Sequence, residues 1–273
     1  MAHTRRVLRI DVVPDTGLAR RCADLLAGWI DADVASRGRC VVALSGGRTP
    51  GPAFDDLARR DLPWRRVVVT QADERVAPDG HPDRNWTALC ERLLDVARVP
   101  ATGRLPMPVT DADLERAAAG HAARLRRVCG DPPVLDVVHL GLGADGHVAS
   151  LVPGDPALDA TGRPVAVTGP YQGRRRMTLT FDALDGARRR LWQVAGADKA
   201  DALREAVEGT AVPGSRLRRD GTVVVADEAA AALLGDARFT GPRPRPSRFT
   251  GPHPRPSRVH RPTPPPPPAH RRS

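Results

Sequence analysis

Residues 141–154, GLGADGHVASLVPG, place Asp145 two positions before His147 in a glycine-lined turn that follows the apolar run LDVV. An aspartate and a histidine so spaced can share a hydrogen bond when the backbone turns. That bond fixes the imidazole tautomer and raises its basicity. The glycines, Gly143 and Gly146 among them, let a substrate lie close to the backbone and offer N–H donors to a developing oxyanion. A capping aspartate beside a packed histidine would leave the same residues.

Two further stretches carry chemistry. SGGRTP, residues 45–50, follows the apolar run CVVAL. Thr49 can cap the helix that follows, and Pro50 suits its first turn. Gly46 and Gly47 let backbone N–H groups approach an anion, and the helix N-terminus adds partial positive charge. This reads as a phosphate cradle, or as a plain strand-to-helix turn. The GxxxxGK[ST] spacing of a Walker loop is absent. QADERVAP, residues 71–78, sets Asp73, Glu74 and Arg75 side by side after RVVVT, as a binding loop or a solvated charged one.

The elements that must position these loops alternate. Apolar, β-branched runs at 7–13, 40–44, 66–70, 135–140, 164–168, 176–180, 191–196 and 222–227 read as strands. Helical patterns lie at 18–30, with Asp15 or Thr16 as cap, and at 85–97, 112–128 and 198–207. Several strands are apolar on both faces, as in a parallel sheet covered by helices. The alternation predicts an α/β fold with a mainly parallel sheet. Ligands in such folds bind beyond the carboxyl ends of the strands, where all three loops fall.

Of the 273 residues, 41% are hydrophobic and only 3% aromatic, enough for one substantial core built from Val, Leu and Ala. No apolar stretch is long enough for a membrane helix, and Arg9 and Asp11 interrupt the N-terminal run as no signal peptide would. The four cysteines (Cys22, Cys40, Cys90, Cys129) form no CxxC pair. They read as reduced thiols in a cytoplasmic protein, neither a disulfide framework nor a metal site.

The net charge of +10 looks like a nucleic-acid signature, but nine arginines and no acid lie from Ala237 onward, and 10 − 9 leaves about +1 for residues 1–236. The same tail holds 12 of the 28 prolines and a near-repeat of ten, RFTGPRPRPS then RFTGPHPRPS. Such composition predicts a disordered or polyproline-like segment over 237–273 and a folded domain over 1–236.

Taken together, SGG-TP at 45–50, ADERV at 72–76, Asn85 after HPD, GLGADGHVASLVPG, RMTLT at 176–180 and Lys199 after GAD resemble the 6-phosphogluconolactonases, within the glucosamine-6-phosphate isomerase/6-phosphogluconolactonase family. The resemblance spans about residues 8–234 and leaves the tail outside. It implies a three-layer α/β/α Rossmann-like fold and hydrolysis of 6-phospho-D-glucono-1,5-lactone to 6-phosphogluconate, with no metal or organic cofactor. It implies His147 as the general base on water, oriented by Asp145. Ser45, Gly46, Gly47 and Thr49 would cradle the phosphate, with positive charge from Arg176 and Lys199. Arg75 would bond sugar oxygens or the carbonyl. Asp73 and Glu74 would orient ring hydroxyls or hold Arg75, and Asn85, Gly143 and Gly146 would complete the substrate contacts. The expected partner is the small sugar-phosphate lactone, with functional coupling to glucose-6-phosphate dehydrogenase. A monomer is expected, with no membrane and no specific nucleic-acid contact.

The sequence departs from the family pattern at Arg48, where a serine is usual, at Arg84, also usually serine, and at Gln71, usually aromatic. The deaminase branch of the family carries a glutamate after its GHxA segment. Here SLVPG follows, with no acid until Asp155. A sugar-phosphate-binding regulator would normally add a DNA-binding helix-turn-helix, and the nearly neutral domain shows none. A polyanion binder acting through the tail would have only Phe239 and Phe249 to stack on bases.

Overall fold

The three-dimensional structure is a computed structural model, which describes residues 8–209 and 212–235. The Pro/Arg-rich segment at 237–273, expected to be disordered, lies outside the described residues.

Six strands, β1 (Arg9–Val13), β2 (Cys40–Leu44), β3 (Val67–Gln71), β5 (Val137–Leu140), β8 (Arg189–Val194) and β9 (Thr222–Asp227), form one sheet in the order β1-β9-β8-β5-β2-β3. Every neighbouring pair runs parallel. Successive residues of one strand face opposite layers, so β2 divides its apolar side chains between two cores. Cys40, Val42 and Leu44 pack with α1 (Asp15–Arg37), α2 (Gly51–Ala58) and α3 (Asn85–Leu89). Val41 and Ala43 face the other layer, with α4 (Leu114–Cys129), α5 (Phe181–Gly186) and α6 (Ala200–Glu208). The result is the three-layer α/β/α arrangement, and it explains why the strands read as apolar on both faces.

Three short strands leave this scheme. β4 (Asp73–Arg75), β6 (Val165–Val167) and β7 (Arg176–Leu179) form a separate antiparallel sheet in the order β4-β7-β6. The charged stretch expected as a loop at 71–78 is thus partly a strand. Other boundaries also differ. Pro14 and Pro50 sit at the caps of α1 and α2, and neither Asp15, Thr16 nor Thr49 bonds a helix terminus through its side chain. The helix expected at 85–97 is α-helical only to Leu89 and continues as a π turn over Cys90–Leu94. α4 is capped by Asp113, whose carboxylate accepts the Arg116 N–H at 3.0 Å.

The chain leaves β2 toward β3 on one side and returns to β5 on the other. The β2–β5 neighbours therefore mark the point where the winding reverses, the usual place for a ligand crevice. There the Ser45 N–H donates to the His139 carbonyl at 3.1 Å, joining the loop that follows β2 to strand β5. No helix among the described residues is long and apolar enough to cross a membrane.

Candidate active site

A cleft of about 230 Å3 opens at this reversal, lined by Ser45, Gly46, Thr49, Asp73, Arg75, Asn85, Gly141, Leu142, Gly143, His147, Ala149, Arg176 and Lys199. Residues from six separate stretches converge because β2, β5 and β8 end here and β4 pairs with β7 alongside.

Asp145 and His147 meet as their spacing suggests. His147 Nδ1 donates to Asp145 Oδ1 at 2.5 Å, and the same oxygen accepts the His147 backbone N–H at 3.2 Å. With the proton on Nδ1, the Nε2 lone pair is free to act. Burial pushes the Asp145 carboxyl up, but the charge and hydrogen bonds of His147 outweigh it and hold it below the usual carboxylate value. The two side chains are 21% and 36% exposed, His147 and Asp145 respectively, so water reaches the base.

The glycines of this turn do other work than expected. The Gly143 N–H donates to the His147 carbonyl at 2.9 Å, and the Gly146 N–H to the Gly143 carbonyl at 3.0 Å. Neither donor is left for an oxyanion. A Cβ on Gly143 would stand 2.1 Å from His147 Nδ1 and 2.6 Å from Asp145 Oδ1, so glycine there lets the pair fold against the backbone. Gly146 adopts a φ of +76° and closes the turn against Val212, outside the cleft. By contrast, the N–H groups of Gly46 and Gly47 make no hydrogen bond within the described residues and remain available to an anion. Gly47 itself sits in the exposed part of its loop, beside the cleft lining.

The acids of ADER divide. Asp73 is buried on the cleft wall. Its carboxylate accepts from Ser150 Oγ at 2.5 Å and from Asn85 Nδ2 at 3.3 Å, and lies 4.0 Å from Arg176 Nη1. Glu74 is fully buried and turned away from the cleft. It accepts from Gln71 Nε2, Arg84 Nε and the backbone N–H groups of Arg75, Asn85 and Trp86, all within 2.7–3.0 Å. Two of those N–H groups belong to the first turn of α3, so Glu74 caps that helix across the fold. It takes the backbone of Arg75 rather than its guanidinium, and none of its oxygens is left for a ring hydroxyl. The departures at Gln71 and Arg84 are thereby explained as supports of Glu74.

Four buried polar atoms in the cleft lack any hydrogen-bond partner: Ser45 Oγ, Asn85 Oδ1, Arg75 Nε and Arg176 Nε. Buried polar atoms are normally satisfied, so the cleft is built for a polar ligand. Arg75 Nη1 is already held by the Asp83 carbonyl at 2.8 Å. Lys199 Nζ reaches Asp198 at 2.9 Å. Arg48 is exposed and lines an adjoining cavity with Lys199 and Thr49.

Three contributors escaped the sequence reading. Ser150 holds Asp73. Gln193 Oε1 accepts from His139 Nε2 at 3.0 Å, and its Nε2–H donates to the Thr49 carbonyl at 2.9 Å, steadying the cradle loop. His139 is the histidine of this region that is not a base: complete burial pushes its imidazole down to about 4. Tyr171 places its hydroxyl 3.3 Å from Asp145 Oδ2. Being the chain's only tyrosine was its sole signal.

A three-layer α/β fold whose strand ends bring an imidazole–carboxylate pair, two arginines and a lysine round one polar cleft defines an enzyme acting on a small anionic substrate. The model of the "Glucosamine-6-phosphate isomerases/6-phosphogluconolactonase" family matches residues 14–225, and the chain belongs to that family. A 6-phosphogluconolactonase of Nostoc sp. is 34% identical over 235 residues, covering 82% of this chain and 98% of the relative. One of Synechocystis sp. is 40% identical over 176 residues, 63% of this chain and 73% of its own. The crystal structure of 6-phosphogluconolactonase from Thermotoga maritima superposes with a TM-score of 0.74 at 26% identity, covering 80% of this chain and 98% of that one.

Proposed function

We propose that this chain is a 6-phosphogluconolactonase, hydrolysing 6-phospho-D-glucono-1,5-lactone to 6-phosphogluconate in the oxidative pentose phosphate pathway. The observation that carries the reading is the 2.5 Å Asp145–His147 pair facing a cleft of cations and unpartnered polar atoms. His147 Nε2 takes a proton from water as the water oxygen attacks the C1 carbonyl carbon. The carbonyl electrons move to oxygen, and Arg75 steadies that charge. When the ring C–O bond breaks, the imidazolium returns its proton to the departing ring oxygen. The new carboxylic acid then ionises, releasing one proton per turnover. Ser45, Gly46, Gly47 and Thr49 cradle the phosphate, with Arg176 and Lys199 supplying charge. Asn85 and Asp73 border the sugar.

The deaminase reading needs a further acid near His147 to move a proton between carbons. The first acid after it, Asp155, spends its carboxylate on the N–H groups of Ala157 and Gly169, outside the cleft. Residues 1–236 serve as the catalytic unit, and the enzyme acts as a monomer. The reaction follows glucose-6-phosphate dehydrogenase, whose product is the lactone.

Acid release from freshly made 6-phosphogluconolactone tests this, with unphosphorylated gluconolactone and glucosamine 6-phosphate as controls. The expected result is proton release far above the spontaneous rate and strong preference for the phosphorylated lactone. Hydrolysis no faster than in buffer, or ammonia release from glucosamine 6-phosphate, would overturn it.

A further inference from the structure

Tyr171 stands in a tight turn between β6 and β7, closed by its backbone N–H donating to the Arg174 carbonyl at 2.9 Å. Its side chain touches two parts of the site at once. The hydroxyl donates to Asp145 Oδ2 at 3.3 Å, and the ring meets the His147 imidazole edge-on, centroids 5.4 Å apart at 70°. The Arg176 guanidinium lies over the same ring, 4.9 Å from its centroid. Asp145 therefore has donors on both oxygens: His147 on Oδ1, Tyr171 on Oδ2. A carboxylate held on one side only can swing about its Cβ–Cγ bond. Held on both, it keeps the imidazole aimed.

We propose that Tyr171 is a positioning residue that locks the Asp145–His147 pair and ties it to the anion-binding Arg176. The inference rests on the lactonase reading above. The phenol stays a donor throughout the neutral range, because burial first, then the charge and hydrogen bond of Asp145, hold its ionisation above that of ordinary tyrosine. The charged groups facing this cluster are Asp145, His147 and Arg176, with Asp73 behind Arg176 and Arg75 and Lys199 on the cleft walls.

Tyr171→Phe keeps the ring and removes the hydroxyl. We expect kcat to fall about three- to tenfold with KM within about twofold. Without the phenol, more of the Asp145 charge falls on the imidazolium. The acidic limb of the pH–rate profile should then move to higher pH by about 0.3–0.5 unit. Tyr171→Leu, which also removes support for Arg176, should raise KM about three- to tenfold besides. Equal loss in kcat and KM for Tyr171→Phe with an unmoved limb would mark a merely structural residue and overturn the proposal. A second readout needs no turnover. Tyr171 being the only tyrosine, ultraviolet absorbance of tyrosinate after a pH jump reports it alone. Its midpoint should fall in Asp145→Asn, which removes the neighbouring charge. An unchanged midpoint refutes the contact. A shifted midpoint, with a wild-type protein that leaves the lactone untouched, would instead refute the lactonase reading.

Discussion

Arg75 and Arg176 are register partners in the β4–β7 pair, so an antiparallel ladder turns two guanidinium groups into one cleft. Like charges placed directly opposite weaken a strand pair. Burial first, with Arg75 adding to it against the pull of Asp73, holds Arg176 below the ordinary guanidinium range. A phosphate dianion relieves that arrangement. Lys199→Ala should raise KM about ten- to a hundredfold, roughly 1.5–3 kcal/mol, with kcat little changed. The Lys199→Ala/Arg176→Ala double variant should lose most of its preference for phosphorylated over plain gluconolactone. An undiminished preference contradicts the phosphate assignment.

A Cβ on Gly46 would lie 2.0 Å from Asn85 Oδ1. Gly46→Ala must therefore push Asn85 away from the Asp73 carbonyl, which now accepts its Nδ2–H at 2.8 Å. The overpacking should cost about 1–3 kcal/mol, lowering Tm by roughly 2–10 °C, and kcat/KM should drop with it. Adding Asn85→Gly, which also removes the Asn85 Cβ that would stand at 2.7 Å, should recover part of the Tm and none of the activity. A single variant melting like the wild type would show that the loop has room.

Glu74 takes five donors in a fully buried position. Glu74→Gln removes the charge opposite Arg84 and turns one acceptor into a donor, at a cost of about 2–4 kcal/mol in urea unfolding. KM of the folded fraction should change little. Wild-type stability with a raised KM would return Glu74 to the substrate.

His121 and His139 are buried imidazoles pushed down to about 4. Their folded values lie below the unfolded one near 6.5, so between those limits the unfolded chain binds more protons and stability falls as pH drops. Each accounts for about 2 kcal/mol lost between neutral pH and pH 5. His121, which contacts Thr70 Oγ1 at 3.3 Å, can be changed without touching the cleft. Urea midpoints of His121→Gln should depend on pH about half as steeply over this window. The same slope in both proteins would show that His121 titrates normally.

The main sheet and the loops at its carboxyl ends were legible because strands buried on both faces read as unbroken apolar runs. The second sheet was not. RMTLT and PVAVT look like any other strand, and β4 is three charged or polar residues whose pairing with β7 is purely tertiary. Asp145 and His147 were legible from a two-residue spacing, a local relationship. Glu74 was misread because a carboxylate that caps a helix eleven residues on looks the same in sequence as one that binds sugar. The oxyanion role expected of Gly143 and Gly146 failed for a similar reason: which N–H groups are spent inside a turn depends on its closure. Tyr171 and Gln193 lie in no motif, and only folding brings them to Asp145 and Thr49.

The general-base role of His147 is tested most directly by steady-state acid release from 6-phosphogluconolactone with His147→Ala. Removing the imidazole takes away the proton acceptor and leaves the cradle, Arg75, Arg176 and Lys199 in place. kcat should fall by roughly 10²–10⁴ with KM within about threefold, and the acidic limb of the pH–rate profile should vanish. A variant that keeps more than about a tenth of the wild-type kcat would show that another group activates the water, with Asp73, the acid that lines the cleft, the next candidate.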